Sequence, residues 1–163
     1  MYADSPMQKQ GVACVDCHMA KIGNRTGKTA KAGPQWDTSA HTFAVATPML
    51  EKTLGVRSAC TQCHGGTGKL MASGAQAPAM DNATLLAILA QRQQETRDGI
   101  DAVQKTLATV KSRKAEAATL VDQAHAKLAF ILLDGSMGAH NQERAATLIA
   151  EARKLAERAA RLK

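Results

Sequence analysis

Two short motifs place cysteine and histidine side chains at the spacing used for covalent haem attachment. They are Cys14–His18, with the sequence CVDCH, and Cys60–His64, with the sequence CTQCH. In a Cys-x-x-Cys-His motif the two thiols add across the vinyl groups of the porphyrin, and the histidine lies under the iron as its proximal ligand. The two motifs use all four cysteines of the chain, which leaves no pair for a structural disulfide. We therefore predict two covalently attached haem c groups, held by Cys14, Cys17, His18, Cys60, Cys63 and His64.

Two other chemistries use paired Cys-x-x-Cys motifs, and both fit the sequence less well. Two such pairs could bind one zinc ion, but a zinc ribbon does not need a histidine directly after both second cysteines. Each pair could also be a redox dithiol of the thioredoxin type. Such a dithiol precedes a helix in a βαβ unit, and the sequence shows no strand pattern of that kind. Haem attachment remains the interpretation that explains every residue of both motifs.

The composition suits a protein whose interior is filled partly by haem. Only 2% of the 163 residues are aromatic, so ordinary side chains supply little large apolar surface for a core. The formal net charge is +7, which haem propionates would reduce. The basic residues are scattered and have no aromatic stacking platform, which argues against nucleic-acid binding. We interpret the basic excess as a solvated surface that favours an acidic redox partner.

The location of the protein follows from the chemistry of haem attachment. Covalent haem is attached outside the cytoplasm, so we expect an extracytoplasmic protein, in the periplasm or at the cell surface. No secretory signal is recognisable, so we expect the numbering to start after a removed signal or inside a longer chain. No apolar run is long enough to predict a transmembrane segment.

Hydrophobic periodicity predicts a mainly α fold with two regions. Residues 1–80 read as a loop-rich dihaem-binding region, and a Gly/Pro/Ala linker before Met80 marks the boundary. We expect residues 81–163 to form two or three long antiparallel helices. Asp81 or Asn82 would cap the first helix, residues 111–114 would interrupt the helical pattern, and residues 134–138 would end the helix that follows. Asn141 is expected to cap the last helix. The predicted inward-facing positions are Ile100, Val103, Leu107, Val110, Leu120, Val121, Ala124, Leu128, Ile131, Leu132, Leu148, Leu155 and Leu162.

Four residues outside the motifs could supply a further axial ligand. Met7 has a thioether that can bind haem iron, and His41 lies in a loop between the two motifs. His125 falls beside an apolar helical stripe, where packing or a propionate contact is the simpler expectation. His140 precedes a predicted helix start and follows two nearby glycines, a placement that suits a distal haem ligand better.

Several segments of the chain resemble the C-terminal half of pentahaem cytochrome c nitrite reductase and its octahaem relatives. The similar segments are Gly11–Met19 (GVACVDCHM), Ser39–His41, Ala59–His64 and, after long helices, Gly135–Glu143 (GSMGAHNQE). The resemblance covers nearly the whole chain and implies that its two haems correspond to the last two of that family. The family's long helices also mediate dimerisation.

The resemblance implies particular distal ligands. His140 resembles the distal ligand of the haem held by the first motif. The distal ligand of the family's last haem is a histidine seven residues before the first cysteine of the preceding motif, and that position here is Met7. His41 resembles a ligand of a haem bound further upstream, which this chain does not contain. We therefore expect His41 to reach a haem of another subunit, to replace Met7, or to ligate nothing.

The resemblance also implies a departure from the reductase chemistry. The family's catalytic haem usually has a Cys-x-x-Cys-Lys motif, and these 163 residues contain none. Our first hypothesis is a dihaem electron carrier that serves other redox proteins or multihaem cytochromes. Subunits that share ligands through His41 would form a homo-oligomer or a filament. The alternatives are a haem enzyme or gas sensor with an open iron, acting on a small nitrogen or sulfur oxyanion, and a fragment or subunit of a larger multihaem reductase.

Overall fold

The computed structural model describes residues 1–18, 21–22, 38–39, 45, 47–49, 58–65 and 77–162. Most of these residues are helical, which confirms the predicted mainly α class. Contacts divide the chain into two compact units, and each is described by itself below. One unit is Met7–Ile88, and the other is Leu89–Lys163 together with Met1–Pro6. The division into residues 1–80 and 81–163 stays a prediction.

The elements before residue 77 are short. Helix α1 is Pro6–Lys9, α2 is Cys14–His18 and α3 is Thr61–His64. Strands β1 (Lys21–Ile22) and β2 (Thr38–Ser39) pair antiparallel, with Lys21 opposite Ser39 and Ile22 opposite Thr38. The first motif therefore coincides with α2, and the second consists of α3 and its N-cap residue Cys60.

Three long helices follow, at the places where the sequence predicts their caps and breaks. They are α4 (Asn82–Ala108), α5 (Ala115–Asp134) and α6 (Gln142–Arg161). Asp81 caps α4, since its Oδ1 accepts a hydrogen bond from the Thr84 amide at 2.7 Å. Gly135 ends α5 in a left-handed conformation, with φ 70°. Asn141 caps α6 by accepting from the Arg144 amide at 3.1 Å.

Helices α5 and α6 pack antiparallel, and small residues allow them to lie close together. The Lys127 Nζ lies 2.5 Å from the Glu151 Oε2, and the Arg158 Nη2 lies 3.9 Å from the Glu116 Oε1. This pairing joins the C-terminal part of α5 to the middle of α6, and the start of α5 to the end of α6. The α6 face toward α5 includes fully buried alanines, namely Ala145, Ala152, Ala156 and Ala159.

The buried core of this unit agrees with the predicted apolar positions, with one error. The described core includes Ile100, Val103, Leu107, Ala124, Leu128, Ile131, Leu148 and Ile149. Leu132 was predicted to face inward, and that prediction is wrong, because its side chain is 44% exposed. The buried face follows Ala124, Leu128 and Ile131, and one further residue rotates the side chain by about 100° toward solvent.

Candidate functional site

The first motif is one turn of helix that begins with a local cap. Asp16 reaches back along the chain, and its Oδ2 accepts a hydrogen bond from the Ala13 amide at 2.7 Å. Cys14 and Cys17 are three residues apart on this turn, so both thiols project from the same side. His18 ends the helix and is half-buried, while Cys14 is exposed. The turn thus presents two thiols and an imidazole together, as thioether attachment requires.

The second motif is held by a buried serine that precedes it. The Thr61 amide donates to the Ser58 Oγ at 3.1 Å, and the Thr61 hydroxyl donates to the Ser58 carbonyl at 3.0 Å. The His64 amide donates to the Cys60 carbonyl at 2.9 Å, which closes the helical turn. These bonds hold Cys60, Cys63 and His64 on one helical turn.

The imidazole of His64 is oriented by a residue fourteen positions further along the chain. Its Nδ1 lies 2.8 Å from the Pro78 carbonyl oxygen, and the Met80 amide donates to the His64 carbonyl at 2.9 Å. A carbonyl can only accept, so Nδ1 carries the proton and Nε2 carries the lone pair. A histidine that ligates a metal through one nitrogen usually donates its other N–H to an acceptor of this kind. The described geometry of His64 therefore fits a proximal haem ligand.

The cysteine thiols of the two motifs lie within electrostatic reach of one another. Burial, followed in decreasing order by the neighbouring Cys60, Asp16, Cys63 and Cys14, raises the pKa of the Cys17 thiol to about 11. The Cys17 thiol is therefore protonated at neutral pH. Because groups from both motifs act on one thiol, the two motifs are neighbours within the Met7–Ile88 unit.

The described residues show neither a disulfide nor a ready-made cluster of metal ligands. None of the cysteines is in a disulfide. Within the described ranges, no three His, Cys, Asp or Glu side chains come together as a metal site, whereas structural zinc needs a tetrahedral set of four. The residues of both motifs instead fit covalent haem, because each pair of thiols is followed by a histidine on the same helical turn.

His140 lies between α5 and α6, directly before the Asn141 cap, as the sequence predicts. Its Nδ1 is 2.9 Å from the Asp134 Oδ1, and its ring meets the Tyr2 ring edge to face with centroids 6.5 Å apart. Ser136 donates to the other Asp134 oxygen, Oδ2. Burial by itself raises the pKa of Asp134, but the hydrogen bonds from His140 and Ser136 outweigh it, and the net pKa lies below its usual value. Asp134 is therefore an ionised partner for the imidazole.

Residues 1–163 match the family model described as cytochrome c552. The chain belongs to this family, which is that of cytochrome c nitrite reductase. Membership implies covalently bound haem c, in agreement with the two attachment motifs. The comparison with curated proteins found no match.

Two solved structures share the fold. The outer cell wall cytochrome OcwA is 24% identical with a TM-score of 0.61, and the match covers 93% of this chain and 26% of OcwA. Cytochrome c nitrite reductase from Desulfovibrio desulfuricans is 19% identical with a TM-score of 0.62, and the match covers 98% of this chain and 31% of the reductase. The chain thus spans about a third or less of the length of these cytochromes.

Of the remaining candidate ligands, the structure describes Met7 and His125. Met7 is half-buried in α1 and belongs to the same unit as both motifs, and its carbonyl accepts from the Gln10 and Val12 amides, each at 3.1 Å. His41 lies outside the described residues. His125 is exposed on α5, so it does not pack in the core, and the alternative expectation of a propionate contact stays a prediction. No described helix is both long enough and apolar enough to cross a membrane.

Sequence reasoning missed the two acceptors that orient His64 and His140. The Pro78 carbonyl has no sequence signal, because every residue carries a carbonyl. In the sequence, Asp134 is recognisable only as part of the segment that ends α5, since Gly135 follows it. The available signal was the spacing of six residues between an acidic helix end and a histidine, across a glycine-containing turn.

Proposed function

We propose that this chain is a dihaem c-type cytochrome that transfers electrons between redox partners. The observation that carries the proposal is the pair of Cys-x-x-Cys-His turns, α2 and α3, within one compact unit. Cys60 and Cys63 both act on the pKa of Cys17, which supports a short separation between the two attachment points. Two haems attached there would belong to the same compact unit, as exchange of electrons between them requires.

The residues of the chain have distinct roles in this proposal. Cys14 and Cys17 form the thioether bonds of one haem, and the second cysteine pair forms those of the other. Bound haem c supplies a reversible one-electron couple between ferric and ferrous iron. His18 and His64 are the proximal ligands, and the hydrogen bond from His64 Nδ1 to the Pro78 carbonyl holds that ring with Nε2 as the ligating nitrogen.

The distal ligand of each haem determines whether its iron has an open position for substrate or can only transfer electrons. We assign His140 as the distal ligand of the haem attached at Cys14 and Cys17, and Met7 as the distal ligand of the haem attached at Cys60 and Cys63. The tautomer that Asp134 imposes on His140, with Nε2 carrying the lone pair, supports the first assignment. With two protein ligands on each iron, substrate cannot bind there. A thioether ligand raises the potential of its haem relative to a bis-histidine haem.

The partners and location follow from the same proposal. The protein acts outside the cytoplasm, in the periplasm or at the cell surface, and OcwA, which shares its fold, is an outer cell wall cytochrome. Its net charge of +7 favours an acidic redox partner. His41 ligates a haem of a neighbouring subunit and so links copies into an oligomer or filament. Light scattering that shows only monomer at high concentration would count against this assembly.

Haem counting on the purified holoprotein tests the proposal. Intact mass and a haemochrome assay are expected to give two haems per chain. The paired variants Cys14→Ser with Cys17→Ser, and Cys60→Ser with Cys63→Ser, are each expected to retain one haem. A reductive titration is expected to consume two electrons per wild-type chain and one per variant. A wild-type chain with one haem, or one that takes up no electrons reversibly, would contradict the proposal.

A further inference from the structure

The turn between α5 and α6 is held in one defined conformation. Three of its residues have positive φ, namely Gly135 at 70°, Met137 at 49° and Gly138 at 86°. A methionine in the left-handed region is strained, so the surrounding contacts must hold it there. One such contact is the Gln93 side chain of α4, which donates to the Ser136 carbonyl at 3.1 Å.

Both oxygens of Asp134 are used to tie this turn to the end of α5. Oδ1 lies 2.9 Å from the His140 Nδ1, and Oδ2 accepts from the Ser136 hydroxyl. The Ser136 Oγ in turn accepts from the His140 amide at 3.2 Å. The Asp134 side chain is only 13% exposed, so these bonds are shielded from competing water. One carboxylate therefore fixes the imidazole of His140 both directly and through the backbone.

The chemistry of this contact differs from that at His64. His64 Nδ1 donates to a neutral carbonyl, whereas His140 Nδ1 donates to a carboxylate. A carboxylate draws the Nδ1 proton toward itself and raises the electron density on Nε2, which makes the ring a stronger metal ligand. A stronger anionic donor favours ferric over ferrous iron, so the potential of the haem that the ring binds is lowered.

We propose that Asp134 is a positioning residue that orients His140 as an axial ligand and lowers the reduction potential of the haem that His140 binds. This inference rests on the proposed ligation of haem by His140. Its consequence is a direction for electron flow. The haem attached at Cys14 and Cys17 has the lower potential, and the haem attached at Cys60 and Cys63 has the higher one.

The decisive variant is Asp134→Asn in the holoprotein. Asparagine has the same shape and can still accept from His140 Nδ1, but it carries no charge. We expect one of the two midpoint potentials to rise by about 59 mV, which corresponds to a tenfold change in the equilibrium constant for one-electron reduction. The other potential and the low-spin EPR signals stay unchanged. Asp122→Asn, an exposed position on the same helix with the same change of net charge, is the matched control and shifts neither potential.

A second variant tests the same idea in the opposite direction. Ser136→Ala keeps the Asp134 charge but removes the donor to Oδ2, which leaves more negative charge to act on His140. We expect the same midpoint potential to fall. If Asp134 were only a structural contact, both variants would perturb the EPR signals or the stability without opposite shifts of one potential.

The outcomes separate this inference from the proposed function. His140→Ala is expected to convert one low-spin signal to high spin. If it does so, and Asp134→Asn leaves both potentials where they were, the role of Asp134 is overturned while the ligation by His140 stands. If His140→Ala changes neither EPR signal, His140 is not a ligand, and the inference about Asp134 fails with it. The dihaem count and reversible electron uptake would remain unaffected by either failure.

Discussion

His64 and His140 use the same ring nitrogen, Nδ1, for a hydrogen bond within the protein. Pro78 accepts from His64 at 2.8 Å, and Asp134 accepts from His140 at 2.9 Å. Both contacts place the proton on Nδ1 and leave the basic lone pair on Nε2. At the residue scale, the protein therefore prepares two imidazoles in the tautomer that binds metal through Nε2, with a neutral acceptor for one and an anionic acceptor for the other.

The assignment of Met7 is testable at this scale by removing its thioether. In the oxidised holoprotein we expect a red-region absorption band from methionine bound to ferric iron, and we expect Met7→Ala to abolish it. The variant should also lower the potential of the affected haem, since a thioether favours ferrous iron. Absorption spectroscopy with a redox titration measures both effects.

Met49 provides the matched control for this experiment. It lies in the same unit as Met7, and its side chain is 63% exposed. Met49→Ala should leave the band and both potentials unchanged. A band that survives in Met7→Ala would show that Met7 is not the ligand, and His41→Ala would then be the next variant to record.

The helical turn that carries each motif could be predicted from sequence because haem attachment needs neighbouring residues on one turn, and the attachment itself stays a prediction. Cys14, Cys17 and His18 meet that requirement because they lie within five consecutive positions. The residues that orient the histidines are different. Pro78 acts through its backbone, and Asp134 is six positions from His140 and meets it only because the turn folds back. Such contacts depend on tertiary geometry, which the local spacing does not contain.

The turn from Gly135 to Asn141 is the element on which the position of His140 depends. A Cβ on Gly138 would lie 2.5 Å from the Gln142 Oε1 and 2.6 Å from the Thr96 Oγ1, so these side chains of α6 and α4 would have to shift to admit any other residue. Thr96 is 1% exposed and donates to the Gln142 Oε1 at 3.4 Å. This part-buried pair links α4 to the first residue of α6, where the turn ends.

Two glycine variants separate backbone strain from close packing in this turn. The Cβ that Gly135→Ala adds has no neighbouring atom within 4 Å. Only the left-handed backbone conformation therefore lowers the stability of this variant, by roughly 1–2 kcal/mol. Gly138→Ala carries the same backbone cost and also clashes with Thr96 and Gln142, which adds about 1–3 kcal/mol. Chemical denaturation of the two variants should show this ranking. Equal losses of stability would contradict the close contact around Gly138.

The ion pair between α5 and α6 predicts a dependence of stability on pH. A hydrogen bond and the positive charge of Lys127 hold the pKa of Glu151 below its ordinary value of 4.5. A lowered carboxyl pKa stabilises the folded state above the ordinary value, and this contribution is lost as the pH falls through the lowered value. Lys127→Met should therefore reduce stability at neutral pH and have much less effect in strong acid.

Denaturant unfolding at neutral and acid pH measures this effect, with Lys111→Met as the control. Lys111 is exposed and lies in the segment between α4 and α5, so its loss changes the net charge without breaking the pair. If Lys127→Met lowers stability equally at both pH values, its alkyl chain contributes packing and the charge does not matter.

The helices could be predicted to within a few residues because their ends carry specific signals. Asp81, Gly135 and Asn141 each act as the cap that the sequence indicates. Leu132 was assigned to the wrong face because the apolar run continues past Ile131, while the packed face does not. The buried Thr96 was not foreseen, since its polar side chain is accommodated only by the neighbouring turn.

At the scale of the whole molecule, the chain combines a unit with both attachment motifs and a unit of long helices with His140. It belongs to the cytochrome c552 family, yet it spans only 26% to 31% of the two cytochromes whose fold it shares. The family's catalytic Cys-x-x-Cys-Lys motif does not occur in these 163 residues. The proposal of electron transfer therefore rests on the two attachment motifs that lie in one compact unit.

Low-temperature EPR of the oxidised, haem-loaded protein tests this account most directly. We predict two low-spin ferric signals of equal intensity, because each iron would have two protein ligands. Addition of nitrite, sulfite or nitric oxide should leave the ferric signals unchanged. A substantial high-spin signal that responds to one of these molecules would mean an open iron, and it would contradict the electron-carrier account in favour of a haem enzyme or gas sensor.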